Sequence, residues 1–235
     1  MRLLVLAGGF GTRLTSAVSD VPKALAPVQG APFLRLQLEH WLNQGLREFT
    51  FLLHHQADQI IHFLKEQQVD LLKDCKLDWV IEPAPLDTGG AIANAVKKLG
   101  LERSFLITNA DTWLGGGVHE LTQSKPPSMA VVNISDVSRY GQVHFDPENY
   151  VTAFDEKKAG LSVGWINAGM YFLSADLLKD WDGEPFSLER DFFKVLLKKK
   201  GLKVVPLDTD FIDIGIPADY HRFCDWVKSG KVVRL

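Results

Sequence analysis

Short apolar runs alternate along the first 135 positions with longer segments whose apolar residues recur at helical spacing. The runs at residues 2–6, 49–54, 77–82, 105–108 and 129–135 have the length and side chains of strands, and residues 33–44, 56–66 and 89–99 carry the helical period. Such alternation implies crossover connections and a parallel sheet, because parallel neighbours cannot be joined by a tight turn. The pattern changes in the second half. Residues 140–145 and 150–154 flank Asp146-Pro147-Glu148-Asn149, a turn-forming quartet that predicts a β-hairpin. Residues 164–173 follow as a strand, 187–200 as a helix with Ser187 as its cap and Glu189 and Asp191 in its first turn, and 217–228 as a last helix. The expected fold class is α/β: a doubly wound, Rossmann-like, mixed but mostly parallel sheet with helices on both faces and a β-hairpin elaboration. No repeat, low-complexity stretch or linker divides the chain, so a single domain over residues 1–235 is expected.

Composition narrows the class of partner. With 235 residues and 46% hydrophobic content the chain can bury a sizeable core, and its net charge of -3 gives no bulk attraction for nucleic acid. Its dense basic run, Lys198-Lys199-Lys200, closes a helical segment, where cations suit the negative end of the helix dipole. Cys75 and Cys224 lie far apart without metal-finger or redox spacing, which suits a reducing compartment. No apolar run approaches the roughly 18 residues of a membrane span, and no leader pattern precedes the first strand. The expectation is a cytoplasmic protein with small-molecule substrates, without nucleic-acid or membrane partners; a homodimer is left open.

The chemistry begins where the first strand ends. Leu3-Leu4-Val5-Leu6 breaks into Ala7-Gly8-Gly9-Phe10-Gly11-Thr12-Arg13-Leu14, and Pro22-Lys23 follows. Glycines after a strand let backbone N–H groups approach a ligand closely, which suits phosphate. Arg13 adds a planar cationic fork and Lys23 a flexible point charge. A P-loop is excluded because Arg13-Leu14 stands where Gly-Lys-Ser/Thr would be required. A dinucleotide fold would need a third glycine at Leu14 and an acid after the second strand, and that strand ends in His54-His55. A nucleoside triphosphate fits what remains.

The segment from Leu6 to Leu14 with Pro22-Lys23 resembles the signature of sugar-1-phosphate nucleotidyltransferases. Further family-like motifs follow in family order: Leu86-Asp87-Thr88-Gly89-Gly90-Ala91, Asn109-Ala110-Asp111, Arg139-Tyr140-Gly141, Phe154-Asp155-Glu156-Lys157, Ile166-Asn167-Ala168-Gly169 and Asp213-Ile214-Gly215-Ile216-Pro217. The resemblance spans about residues 1 to 220. Two departures stand out: Ala110 replaces a frequent glycine, and Asp87 places an acid where a glycine is common. The resemblance implies in-line transfer of a nucleoside monophosphate to a sugar 1-phosphate, with residues 1–135 mainly binding NTP, 136–220 mainly binding sugar phosphate, and 221–235 forming a C-terminal helix and tail. Arg13 would grip the β- and γ-phosphates, and Lys23 would bridge the α-phosphate and the incoming sugar phosphate. Leu6, Ala7, Gly8, Gly9, Gly11, Thr12, Thr88, Gly89 and Asn109 would complete the nucleotide site. Tyr140, Gly141, Glu156, Lys157 and Asn167 would serve the sugar phosphate.

Asp111 follows an apolar strand at the edge where open α/β sheets bind ligands, and a carboxylate there can hold Mg²⁺. Asp213, by resemblance, supplies a second carboxylate, so Arg13, Lys23 and Asp111 are the candidate catalytic residues. Glu82 ends the third strand, and an ionised carboxylate accepts but does not donate, which complements the adjacent N–H donors of guanine and favours GTP. With Phe186-Ser187-Leu188-Glu189 and Arg139-Tyr140-Gly141 included, the motif set is most similar to D-glycero-α-D-manno-heptose 1-phosphate guanylyltransferases. Mannose 1-phosphate guanylyltransferases and N-acetylmuramate 1-phosphate uridylyltransferases are the alternatives of the same class. A non-catalytic subunit binding a nucleotide sugar is the alternative of another class, and the retained cations and carboxylates argue against it.

Overall fold

The structure, a computed structural model, describes residues 1–11, 13–14, 17–18, 21–155 and 162–232. In chain order the first elements are β1 (Arg2–Leu6), the two-residue strands β2 (Pro27–Val28) and β3 (Ala31–Pro32), α1 (Phe33–Asn43), β4 (Glu48–Leu53), α2 (Ala57–Gln68) and β5 (Lys76–Ile81). Next come α3 (Asp87–Leu99), β6 (Ser104–Asn109), β7 (Thr112–Leu114), α4 (Val118–Gln123) and β8 (Ser128–Ile134). The remainder holds β9 (Gln142–Phe145), β10 (Val151–Asp155), β11 (Gly164–Ser174), α5 (Phe193–Lys198), β12 (Lys203–Leu207), β13 (Phe211–Asp213) and α6 (Pro217–Lys228). The α/β class with a mixed sheet is as the alternating pattern predicts.

The chain divides into two compact units that interleave in sequence: Met1–Pro85, Thr108–Gly115 and Ile212–Leu235 in the first, Leu86–Ile107 and Gly116–Phe211 in the second. In the first unit β4 runs parallel to both β1 and β5, with Leu4 opposite Thr50 and Phe49 opposite Leu77. All three strands therefore end at one edge. Backbone bonds continue the order past the strand ends: Ala7 N–H donates to Leu52 O, His55 N–H to Gly8 O, Glu82 N–H to Leu53 O and Ala110 N–H to Leu6 O. A buried cluster of Leu14, Phe33, Leu36, Trp113, Ile212, Ile214 and Phe223 supports this edge. Its rings meet edge-on and tilted, Phe33 to Phe223 at 4.9 Å and Trp113 to Phe223 at 5.3 Å between centroids. Helix α6 starts with Pro217 in its first turn, where the absent N–H costs nothing.

The second unit is built on β8. That strand pairs antiparallel with β11, Ile166 opposite Val132, and parallel with β12, Val204 opposite Met129. The expected hairpin is present as β9 and β10, antiparallel, with Phe145 opposite Val151. Asp146 Oδ1 accepts from the N–H groups of Glu148 and Tyr150, and Asn149 takes a left-handed φ of 65°. The register of β11 against β8 shifts between Asn167 and Tyr171, where Gly169 sits at φ 70°, a conformation glycine adopts without penalty. The helix expected at 187–200 divides into a π-helical turn, Leu188–Phe192, and the shorter α5. Ser187 caps it as predicted, its Oγ accepting from Arg190 N–H at 3.2 Å.

Candidate active site

Within the first unit the loop after β1 is held from below. Leu14, the residue that breaks the dinucleotide pattern, is 1% exposed and sits in the cluster around Phe33 and Ile214, so it anchors the loop rather than contacting a ligand. Its N–H donates to Gly11 O, and Gly11 has a φ of 63°, strained for any other L-residue except Asn or Asp. A Cβ at Gly8 would stand 3.0 Å from Glu82 Oε1 and 3.1 Å from His54 Cβ, so the close approach of these strand ends needs a glycine there. Glu82 is buried beside that loop.

Pro22 precedes a single 3-10 turn, Lys23–Leu25, closed by Leu25 N–H donating to Pro22 O. The turn aims Lys23 inward. Its Nζ donates to Asp111 Oδ2 at 2.6 Å and to Asp213 Oδ1 at 3.3 Å, and its side chain is 11% exposed. Asp111 lies between β6 and β7, and its backbone O accepts from Ile214 N–H, which brings the start of one motif to the end of the other. Thr112 Oγ1 donates to Asp111 Oδ1, and Gly215 N–H donates to Asp213 Oδ1 at 2.7 Å. A Cβ at Gly215 would come within 2.7 Å of Asp213 Oδ1 and 2.8 Å of Lys23 Nζ.

A cavity of about 380 Å³ opens over these groups, lined by Leu6, Ala7, Gly9, Gly11, Arg13, Lys23, Ala110 and Asp111 among others. The residues predicted for phosphate and metal are thus brought together where the loop after β1, the β6–β7 connection and the end of β13 meet. Asn109 ends β6 beside them, its O accepting from Gln37 Nε2 at 3.5 Å. Thr12 lies outside the described residues. Among the described residues no group of three or more His, Cys, Asp or Glu side chains converges as a metal cage. Two carboxylates on one cation are nevertheless the donor set that Mg²⁺ takes when phosphate oxygens complete its shell, so these residues fit that ion.

The second unit holds the other predicted positions. Thr88 Oγ1 donates to Glu189 Oε2 at 3.0 Å and accepts from Leu188 N–H at 2.9 Å. Gly89 lies against the Phe186 ring, which a Cβ would overlap, and its N–H donates to Phe186 O. Asn167 Nδ2 donates to Tyr171 Oη, and its Oδ1 accepts from Gly169 N–H. Tyr171, fully buried, donates in turn to Glu189 Oε1 at 2.9 Å. Burial first, and then the Glu189 charge, push the Tyr171 phenol well above its ordinary value. Tyr140 packs edge-on to Phe211 at 5.6 Å, and a Cβ at Gly141 would stand 2.7 Å from Asp155 O. Glu156 and Lys157 lie outside the described residues. Asp87, the departure from the family pattern, pairs with Arg190 at 2.6 Å in an exposed ion pair.

Two features escape a reading of the sequence. Glu189 is the acceptor for the hydroxyls of both Tyr171 and Thr88, and its partners are 18 and 101 positions away, so spacing gives no hint of it beyond the Phe186-Ser187-Leu188-Glu189 resemblance. Phe10, at the tip of the glycine loop, is 57% exposed and stands against His55 at 5.0 Å between ring centroids. An exposed aromatic among glycines is the signal that could have found it.

A glycine-rich loop, two cations and paired carboxylates beside the ends of parallel strands are the groups that handling nucleotide phosphates calls for. The chain matches the profile of the nucleotidyl transferase family over residues 2–227 and belongs to that family; it is a nucleotidyltransferase. It is 34% identical over 228 residues to D-glycero-alpha-D-manno-heptose 1-phosphate guanylyltransferase of Campylobacter jejuni, covering 95% of this chain and 98% of that protein. It is 31% identical to a probable mannose-1-phosphate guanylyltransferase of Oryza sativa, covering 94% of this chain but 63% of the rice protein. Among solved structures, HddC from Yersinia pseudotuberculosis, complexed with GMP-PN, superposes with a TM-score of 0.81 at 34% identity, covering 96% of this chain and 99% of that one.

Proposed function

We propose that the chain transfers a guanylyl group from GTP to D-glycero-α-D-manno-heptose 1-phosphate, giving GDP-heptose and pyrophosphate, as one nucleotidyltransferase domain in which residues 1–135 mainly serve the NTP and 136–220 mainly the sugar phosphate. The observation that carries the reading is the Lys23 ammonium between Asp111 and Asp213, with Lys23 and Asp111 lining the same cavity as Gly9 and Gly11. Near-full-length similarity to a heptose 1-phosphate guanylyltransferase supports the sugar, and buried Glu82 beside Gly8 supports guanine.

In this reading a sugar phosphate oxygen attacks the α-phosphorus of GTP, a new P–O bond forms, and the bond to the β-phosphate bridging oxygen breaks with its electron pair leaving on pyrophosphate. The nucleophile is already an oxyanion, so the residues need supply no base; their work is to align anions and neutralise charge. Backbone N–H groups of Gly8, Gly9 and Gly11 approach the phosphates, Arg13 holds the leaving pyrophosphate, and Lys23 spans the α-phosphate and the sugar phosphate. Asp111 and Asp213 would hold Mg²⁺, which supplies Lewis-acid neutralisation of the triphosphate when bound. Thr88, Gly89 and Asn109 are assigned to the nucleotide and Tyr140, Gly141, Glu156, Lys157 and Asn167 to the sugar phosphate. The two free cysteines, Cys75 and Cys224, suit a cytoplasmic location, and among the described residues no helix is long and apolar enough to cross a membrane.

Similarity to the rice enzyme makes mannose 1-phosphate the second candidate. Pyrophosphate release, measured with each NTP against heptose, mannose, glucose and N-acetylmuramate 1-phosphates, tests both. GTP with heptose 1-phosphate is expected to give the highest kcat/KM; mannose 1-phosphate in first place overturns the sugar assignment, UTP in first place overturns the role of Glu82, and no turnover with any pair overturns the activity.

A further inference from the structure

Lys23 is assigned above to phosphate, yet in the structure its ammonium is committed to carboxylates. Both contacts are within ion-pair distance, at 2.6 and 3.3 Å, and the lysine side chain is nearly enclosed while the two acids are 35% and 24% exposed. One positive charge thus faces two negative ones in a partly dehydrated niche, where charges are screened less than at the surface. The niche has no spare room on the Gly215 side, where even a Cβ would crowd both Asp213 Oδ1 and Lys23 Nζ. The position of the ammonium, within ion-pair distance of both carboxylates, is where a divalent cation would meet the two of them at once.

The carboxylates have partners besides Lys23. Thr112 Oγ1 donates to Asp111, Gly215 N–H donates to Asp213, and Ile214 N–H ties the two backbone segments together through Asp111 O. Removing the ammonium therefore leaves a preformed dianionic pair rather than a collapsed one. Expelling it without a new partner would strand a cation in a partly buried site, which is costly. A triphosphate in the cavity lined by Gly9, Gly11 and Arg13 offers that partner.

We propose that Lys23 is the resident counter-ion of the Asp111–Asp213 pair and admits a divalent cation to those carboxylates only together with a nucleoside triphosphate. Metal and ammonium exchange places: the metal takes the carboxylates as the ammonium turns to phosphate. This couples metal entry to nucleotide binding, and it rests on the reading that Asp111 and Asp213 hold the metal.

Mn²⁺ alone is the probe, titrated into the intact, nucleotide-free protein and followed by the loss of free-ion signal in electron paramagnetic resonance. Lys23→Met is expected to bind one Mn²⁺ at least about tenfold more tightly than the wild type, a change of roughly 1.4 kcal/mol. Adding Asp111→Asn or Asp213→Asn to that variant should abolish the gain. Equal Mn²⁺ affinity in wild type and Lys23→Met overturns the proposal, and if Mn²⁺ with a non-hydrolysable GTP analogue still binds in an Asp111-dependent way, the metal assignment itself stands. A gain in Lys23→Met that survives both aspartate substitutions overturns the metal assignment and the proposal with it. Should Lys23→Met fail to fold by circular dichroism, Lys23→Gln takes its place. The wild type also decides alone: tight nucleotide-free Mn²⁺ binding that Asp111→Asn removes contradicts the exchange.

Discussion

In the proposed reaction Asp111 holds the central place, and in the structure it meets Lys23, Thr112 and the backbone of Ile214 at once. Asp111→Asn keeps the side-chain volume but loses the charge, so its kcat is expected to fall by about a hundredfold or more in a Mg²⁺-dependent pyrophosphate-release assay. Its unfolding transition should stay two-state; activity within a few-fold of wild type would remove Asp111 from the metal site. Tyr171 carries a different prediction. Its phenol is raised in the fold above its unfolded value of about 10, so the folded protein disfavours the phenolate. The stability it contributes is whole below that pH and lost as pH rises through the folded value, since the unfolded chain ionises first. Alkaline urea titrations should show a decline in stability above about pH 10 that is shallower in Tyr171→Phe. The same slope in both proteins would mean that other groups govern alkaline unfolding.

At the scale of elements, the fold explains why a leucine ends the glycine loop. Leu14 is buried with Phe33, Ile214 and Phe223, so Leu14→Ala is expected to cost about 2–5 kcal/mol by denaturant unfolding, with a loosened phosphate loop. Helix α3 begins against the Phe186 ring, and Gly89→Ala forces that aromatic to move. A loss of about 1–3 kcal/mol is expected, with Phe186→Leu recovering part of it; an unchanged midpoint would show that the ring shifts freely. These two residues also mark how far elements are legible in a sequence. The strands at 2–6 and 49–54, the hairpin around Asp146 and the Ser187 cap are local patterns and appear as expected. The break of the 187–200 helix, the parallel pairing of β12 with β8 and the short strands β7 and β13 depend on contacts between distant segments, which periodicity does not record.

For the molecule as a whole, the reaction was legible and the substrate less so, for a physical reason. Phosphate needs backbone N–H groups and cations, which a contiguous loop from Ala7 to Leu14 with Lys23 can supply, so the sequence displays them together. The carboxylates proposed for the metal are split between Asp111 and Asp213, the second legible only by resemblance, yet the fold delivers both to one ammonium. The hydrogen bonds that join Thr88, Tyr171 and Glu189 do not show in the sequence, because no two of these residues are neighbours along the chain. Family membership accounts for nucleotidyl transfer, and the choice of GTP and heptose is what the proposed function adds to it. Its most direct test is a competition: purified protein with Mg²⁺, equal concentrations of the NTPs, and equal heptose, mannose, glucose and N-acetylmuramate 1-phosphates, with products resolved by mass spectrometry. GDP-heptose is expected to be the dominant nucleotide sugar formed; dominance of a UDP-sugar or of GDP-mannose, or no nucleotide sugar at all, would contradict it.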